Sequence, residues 1–184
     1  MSKGDVPVLT GPRIFLRAIS IEDAEPLFHC WSHPEVSSWL GAPPITSVSE
    51  TRELIERLLQ MAQVDESLRW SIVLPDGKVI GSCGYNSWQF EGAYRGELGC
   101  ELLPDYWGMG YTREALQLLL AYGFKSMGLN RIEAICLPDN LRAIRLFTSL
   151  GFRQEGVLRQ YRYTVAGFQD VAMYSLLYTD EWQN

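Results

Sequence analysis

Apolar residues recur at two spacings along this chain. In "RIFLRAI" (Arg13–Ile19) they alternate with polar ones, the period of a half-buried strand. Ser20 follows as a helix cap, with Asp23 placed to answer it from the third helical position. Ala24, Leu27, Phe28 and Trp31 then fall on one helical face. "HPEVSSWLGAPPITS" is a polar, proline-interrupted connection, with a short helix predicted over Glu35–Trp39. From Ser49 to Gln63 the spacing is helical again. Leu54, Ile55, Leu58, Leu59 and Met61 or Ala62 form its inner side, and Ser47 with Glu50 makes a capping box.

The texture then becomes strand-like. "LRWSIVL" and "KVIGSCGY" flank "PDG", a hairpin signal, and "RGELGCELL" (Arg95–Leu103) is the next strand. After "DYWGMGY" a helix is predicted from Thr112 to Met127, with Leu116, Leu119, Leu120, Phe124 and Met127 on its apolar side. Gly128 is placed to end it in a left-handed conformation. "RIEAICL" (Arg131–Leu137) is a strand and "DNLRAIRLFTSLGF" a short helix closed by Gly151. "VLRQYRYTV" and "DVAMYSLLY" are two antiparallel strands joined around Gly167. No linker or repeat interrupts the pattern. It predicts one domain, residues 1–184, of α/β class with a mixed sheet, and a right-handed parallel crossover from Arg95 to Leu137.

Composition narrows the function. The 184 residues suit a single core. No run is apolar enough to span a bilayer, and the N-terminal stretch lacks a signal-peptide pattern, so a cytoplasmic protein is expected. The net charge of −6 argues against nucleic acid as a partner. The four cysteines are widely spaced and His29 and His33 share no acidic cluster, so buried free thiols and no metal site are expected. Exposed Trp or Tyr patches would permit a homodimer.

The chemistry concentrates at "DYWGMGYTREAL". Gly108 and Gly110 stand one residue apart just before a helix. A helix start offers unpaired amides and a positive dipole end, and glycines let phosphate oxygens approach the backbone. Thr112 adds a hydroxyl at the helix mouth. The turn has no Lys-Ser/Thr pair, which excludes a P-loop. Arg113 occupies the third glycine position of a dinucleotide fingerprint, which disfavours a nicotinamide cofactor.

From "LTGPRIFLRAISIEDAEPLF" through "GELGCELLPDYWGMGYTREAL" and "PDNLRAIRLFTSLGF" to "GFQDVAMYSLL", the chain resembles the GNAT acetyltransferase superfamily. Within it the resemblance is to the ribosomal-protein N-terminal acetyltransferases of the RimJ/RimL type. The resemblance implies a twisted mixed sheet of about seven strands. Two central parallel strands, here Arg95–Leu103 and Arg131–Leu137, would splay to admit acetyl-CoA. It implies that Trp107, Gly108, Met109, Gly110, Tyr111 and Thr112 hold the pyrophosphate, with Trp107 and Thr112 departing from the usual polar opening and small closing residues. Leu102 and Leu103 would lie along the pantetheine arm. Asn140 would hold that arm, act as a helix cap, or do both. Ala143 and Phe147 stand where many members carry Ser and Tyr, so a phenol acid at that point is excluded.

Acetyl transfer needs a neutral amine, a polarised thioester carbonyl and a proton for the leaving thiolate. Glu97 matches a family glutamate and is the preferred base. Glu101 faces the same side of the strand and is the alternative. Tyr85, Tyr106 and Tyr161 are the alternatives for the proton donor. Trp39, Trp88 and Tyr94 are candidates for lining an acceptor site. The acceptor implied is a protein or peptide N-terminus. A small-molecule amine, or a non-catalytic acyl-CoA-binding role, are the alternatives.

Overall fold

The computed structural model describes residues 6–40, 43–180 and 182. Eight strands form one sheet: β1 (Leu9–Thr10), β2 (Phe15–Ala18), β3 (Leu68–Val73), β4 (Val79–Gln89), β5 (Arg95–Leu102), β6 (Arg131–Cys136), β7 (Arg153–Thr164) and β8 (Gly167–Leu177). Their order is β1-β2-β3-β4-β5-β6-β8-β7, antiparallel except for the β5–β6 pair. The two-residue strand β1 is the one the sequence pattern missed; it pairs Leu9 with Leu16 and Thr10 with Phe15.

Helices cover both faces. Helix α1 (Ala24–Trp31), α2 (Pro34–Leu40) and α3 (Val48–Gln63) lie over a cluster that includes Leu27, Trp31, Val36, Ile55 and Val79. Helix α4 (Tyr111–Ala121) and α5 (Leu141–Ser149) lie over the larger cluster, which holds Trp70, Tyr85, Leu116, Leu119, Leu120 and Ile132. Leu116, Leu119 and Leu120 are fully buried, worth about 1.5–3 kcal/mol each in apolar burial.

Local signals explain most boundaries. The Ser47 hydroxyl accepts from the Glu50 N–H (3.2 Å), as the capping box requires. The reciprocal arm is displaced by one residue: the Glu50 carboxylate takes the Thr46 N–H (2.8 Å) and hydroxyl (2.7 Å). Asp23 is buried and accepts from Ser20 N–H, Ser71 hydroxyl and both Arg17 amines, which ties the start of α1 to β2 and β3.

The helix predicted to run unbroken to Met127 instead changes after Ala121 into a π turn over Tyr122–Ser126. The buried Tyr85 hydroxyl donates to the Leu119 carbonyl (2.8 Å), and a Cβ at position 123 would stand only 2.0 Å from that hydroxyl. Gly123 therefore leaves the space that the phenol fills, and the helical ladder is rerouted around it. Gly128 (φ 72°) then closes its helix in the left-handed region, as expected, and Gly151 (φ 89°), expected to close the next one, does so in the same conformation. The last two strands are longer than the pattern indicated. Their hairpin has bulges near Gly156 and Gln160, which break the alternation from which strand ends are read.

Candidate active site

Strands β5 and β6 pair only at Arg95–Arg131, Gly96–Ile132 and Glu97–Glu133. Beyond Glu97, β5 continues to Leu102 and β6 to Cys136 without pairing to each other, so the sheet opens between them. The Leu103 N–H donates to Ile80 on β4 (2.9 Å). Antiparallel alternation then turns the main-chain groups of Leu98, Cys100 and Leu102 toward the opening. The Leu102 carbonyl is taken by the indole N–H of Trp107 (2.8 Å), which anchors the glycine turn to the strand.

A cavity of about 860 Å³ fills this opening and runs through the sheet. At one end it is lined by Trp107, Gly108, Gly110 and Thr112. Gly108 (φ 76°) and Gly110 (φ 83°) are both left-handed, which turns the chain sharply into α4. Arg13, far away in sequence, fixes this turn from outside. Its guanidinium donates to the Met109 carbonyl (2.8 Å) and to Glu114 (2.9 Å), and lies 4.7 Å from the Tyr111 ring centroid. Met109 and Tyr111 hold the turn in this way, and their side chains do not line the cavity. Arg113, Arg142 and Arg145 surround the same end, and Arg142 stacks on Trp107 at 4.2 Å. Asn140 lines the cavity and also caps α5, accepting from the Ala143 N–H (3.1 Å).

These residues fit acetyl-CoA. The first-turn amides of α4 and nearby arginines suit phosphates. The unpaired edge of β5 offers donors and acceptors to the amides of an extended arm. Leu102 lines this passage. Leu103 instead lies behind β5, in a separate surface depression with Asp23 and Val79.

On the opposite face of β5 from Leu98 and Leu102 stand Glu97, Gly99 and Glu101. Both glutamates line the cavity, as do Trp39 and Glu35 of α2. Their partners differ. Glu101 is ion-paired with Arg69 and also accepts from the Ser82 hydroxyl (3.0 Å). Arg69 is buried and additionally reaches Ser82 and Asn86. Glu97 accepts from the Asn86 side-chain amide (3.1 Å), and no cation pairs with it among the described residues.

Other candidates lie apart. Trp88 packs against the larger core cluster, and Tyr94 sits half-exposed in the β4–β5 turn, where its carbonyl accepts from the N–H groups of Asn130 and Arg131. Neither lines the cavity. Tyr85 is committed to Leu119, and burial raises its phenol well above the ordinary range. Tyr161 is exposed on β7, and Tyr106 is the one of the three tyrosines that lines the cavity. Phe147 lines it too, without an acidic proton.

Sequence reasoning missed Arg69, Ser82 and Asn86. A lone arginine in the buried strand "LRWSIV" was a usable signal, since such a charge needs a partner. Asn86 is the extra residue of a β4 bulge, between the pairs Tyr85–Leu98 and Ser87–Glu97, and a bulge has no clear sequence mark here.

Comparison with known proteins agrees with this geometry. Residues 13–153 match the family described as "Acetyltransferase (GNAT) domain". The chain is 40% identical over 166 residues to the uncharacterized N-acetyltransferase p20 of Bacillus licheniformis, covering 90% of this chain and 93% of that one. It is 26% identical over 143 residues to the spermidine N(1)-acetyltransferase of Escherichia coli K12, covering 78% and 74%. Its fold superposes on Mycobacterium smegmatis RimJ in complex with CoA-disulfide with a TM-score of 0.88 at 21% identity, covering 97% and 90%. The chain belongs to the GNAT acetyltransferases and transfers acetyl groups from acetyl-CoA to an amine.

Proposed function

We propose that the acceptor is the N-terminal α-amine of a protein or peptide, and that Glu97 is its general base. The observation that carries this reading is the unequal pairing of the two cavity glutamates: Arg69 neutralises Glu101, and Glu97 keeps a carboxylate free of any cation among the described residues. An α-ammonium group has a pKa of about 8, against about 10.4 for a lysine-type amine. A carboxylate, acting directly or through water, suffices for the former.

Acetyl-CoA supplies an activated thioester. Gly108, Gly110, Thr112 and the α4 amides would hold its pyrophosphate. The open edge of β5 and Asn140 would align its arm, and Glu97 would take the ammonium proton. The carbonyl would be polarised most simply by a main-chain N–H on the open edge of β5. Trp39 of α2 lines the cavity, which suits it to pack against the acceptor. A small polyamine is the second reading. Similarity to the spermidine enzyme and the two acidic residues Glu35 and Glu97 on the cavity wall favour it.

The test is a mass-spectrometric screen of acceptors with acetyl-CoA: peptides with free N-termini, ribosomal-protein N-terminal peptides among them, polyamines, free amino acids and aminoglycosides. The reading predicts acetylation of peptide α-amines. Turnover of polyamines alone would replace it with the second reading.

A further inference from the structure

We infer that Asn86 and Arg69 form a positioning relay that aims Glu97 at the acceptor amine. This rests on the reading of Glu97 as the base. The relay is visible as a directional chain of hydrogen bonds. Arg69 Nη1 donates to Asn86 Oδ1 (3.3 Å), and Asn86 Nδ2 donates to Glu97 Oε1 (3.1 Å).

The chemistry of the three groups fixes the direction. A guanidinium only donates and an ionised carboxylate only accepts. An amide between them satisfies both only with its oxygen toward Arg69 and its nitrogen toward Glu97. The reversed amide would set oxygen against carboxylate and nitrogen against guanidinium, losing both bonds. Asn86 is therefore locked in one orientation although it is exposed.

Two features of the backbone exist to make this possible. The β4 bulge inserts Asn86 between the pairs Tyr85–Leu98 and Ser87–Glu97, which turns its side chain over β5. Gly99 lies beneath it: a Cβ there would stand 3.0 Å from both Asn86 Nδ2 and Oδ1. A side chain at position 99 would displace the amide from its place between the two charged groups.

The other end is held as firmly. Glu101 and Ser82 grip the Arg69 guanidinium, and Arg69 and Glu101 have only 9% and 13% of their side chains exposed. Glu101 thus fixes the arginine, the arginine fixes the amide, and the amide holds Glu97 Oε1. Oε2 is left for the proton of the amine. Asn86 itself carries no proton in the reaction, so it is a positioning residue rather than an acid or base.

The test compares Asn86→Asp, Glu97→Gln and the double variant, with the best peptide acceptor of the panel. Asn86→Asp keeps an acceptor for Arg69, removes the donor to Glu97 and sets a second carboxylate oxygen against it. The expected result is a fall in kcat of about a hundredfold, with KM for acetyl-CoA and Tm unchanged. In the double variant the two losses should not add, because the relay acts only through Glu97. A second readout needs no acceptor: the Asn86 side-chain amide resonances should move as acid protonates Glu97, and should not move in Glu97→Gln. Normal turnover by Asn86→Asp beside an inactive Glu97→Gln would overturn the relay and leave the base assignment standing. Normal turnover by Glu97→Gln would overturn both, whereas additive losses or a static amide signal would overturn the relay alone.

Discussion

Arg69 is ion-paired to Glu101, while Glu97, on the same face of β5, has only the Asn86 amide beside its carboxylate among the described residues. Two glutamates that are indistinguishable by strand alternation thereby differ in their partners, and on the proposed reading they differ in their work. Glu101→Gln should mainly destabilise the fold, because it leaves the buried Arg69 uncompensated; breaking such a pair costs about 3–5 kcal/mol. Glu97→Gln should keep the melting temperature, since the Gln oxygen still accepts from Asn86, and should lower kcat by about 10²–10⁴-fold. Thermal denaturation and steady-state kinetics on the two variants check this, and a folded but inactive Glu101→Gln beside an active Glu97→Gln would reverse the roles.

Gly110→Val should weaken acetyl-CoA binding by at least about tenfold, as read by calorimetry. Gly110 has φ 83°, a region hostile to a β-branched residue, and a Cβ there would approach Arg13 Nη2 to 3.2 Å. The substitution disturbs both the turn and the arginine that braces it. Arg13→Ala should act in the same direction, through the lost contacts to Met109 and Glu114. Wild-type affinity in a folded Gly110→Val variant would show that phosphates rest elsewhere.

Much of this site was legible because its parts are local. The glycine turn, the helix that follows it and the Asn140 cap each depend on residues within a few positions of one another. The opening between β5 and β6 was expected from the family resemblance, since hydrophobic periodicity is the same whether or not neighbouring strands pair. The electrostatic half of the site was not legible. Arg69 meets Glu101 across 32 positions and Asn86 across 17, and Arg13 meets Glu114 across 101. The first two pairs are set by strand register, which a one-residue bulge at Asn86 changes, and the third by how α4 packs beside the start of β2. The π turn after Ala121 escaped notice for the same reason: its cause, the Tyr85 hydroxyl, arrives from β4.

No cysteine should be required for turnover. Burial pushes the Cys30 thiol up to about 12 and the Cys136 thiol up to about 11, and drives Cys83 upward as well. Such thiols carry almost no thiolate at neutral pH and are poor nucleophiles. Cys100 and Cys136 both line the cavity, and Cys100 is the less buried of the two, so it is the one to test. Cys100→Ser should leave kcat essentially unchanged, and intact-mass measurement during turnover should find no acetylated enzyme. A covalent acetyl group lost in Cys100→Ser would replace direct transfer with a two-step route.

Acid stability should depend on Asp23. Burial alone would raise its carboxyl, but hydrogen bonds from Arg17, Ser71 and the Ser20 N–H outweigh it and hold the group below its ordinary value. A carboxyl depressed in the folded state contributes stability that is present above its unfolded pKa, about 3.9, and lost as pH falls through the lower folded value. Glu155, held down to about 2 by Arg131 and Ser175, acts in the same direction, but more weakly because it lies near the surface. Asp23→Asn should therefore cost about 3 kcal/mol at neutral pH, as it strips Arg17 of its buried partner. The gap between variant and wild type should narrow as the pH falls below about 4. Urea denaturation at a series of pH values measures that gap directly. A gap that stayed constant into acid would mean that the Asp23 charge is not what holds α1 to β2 and β3.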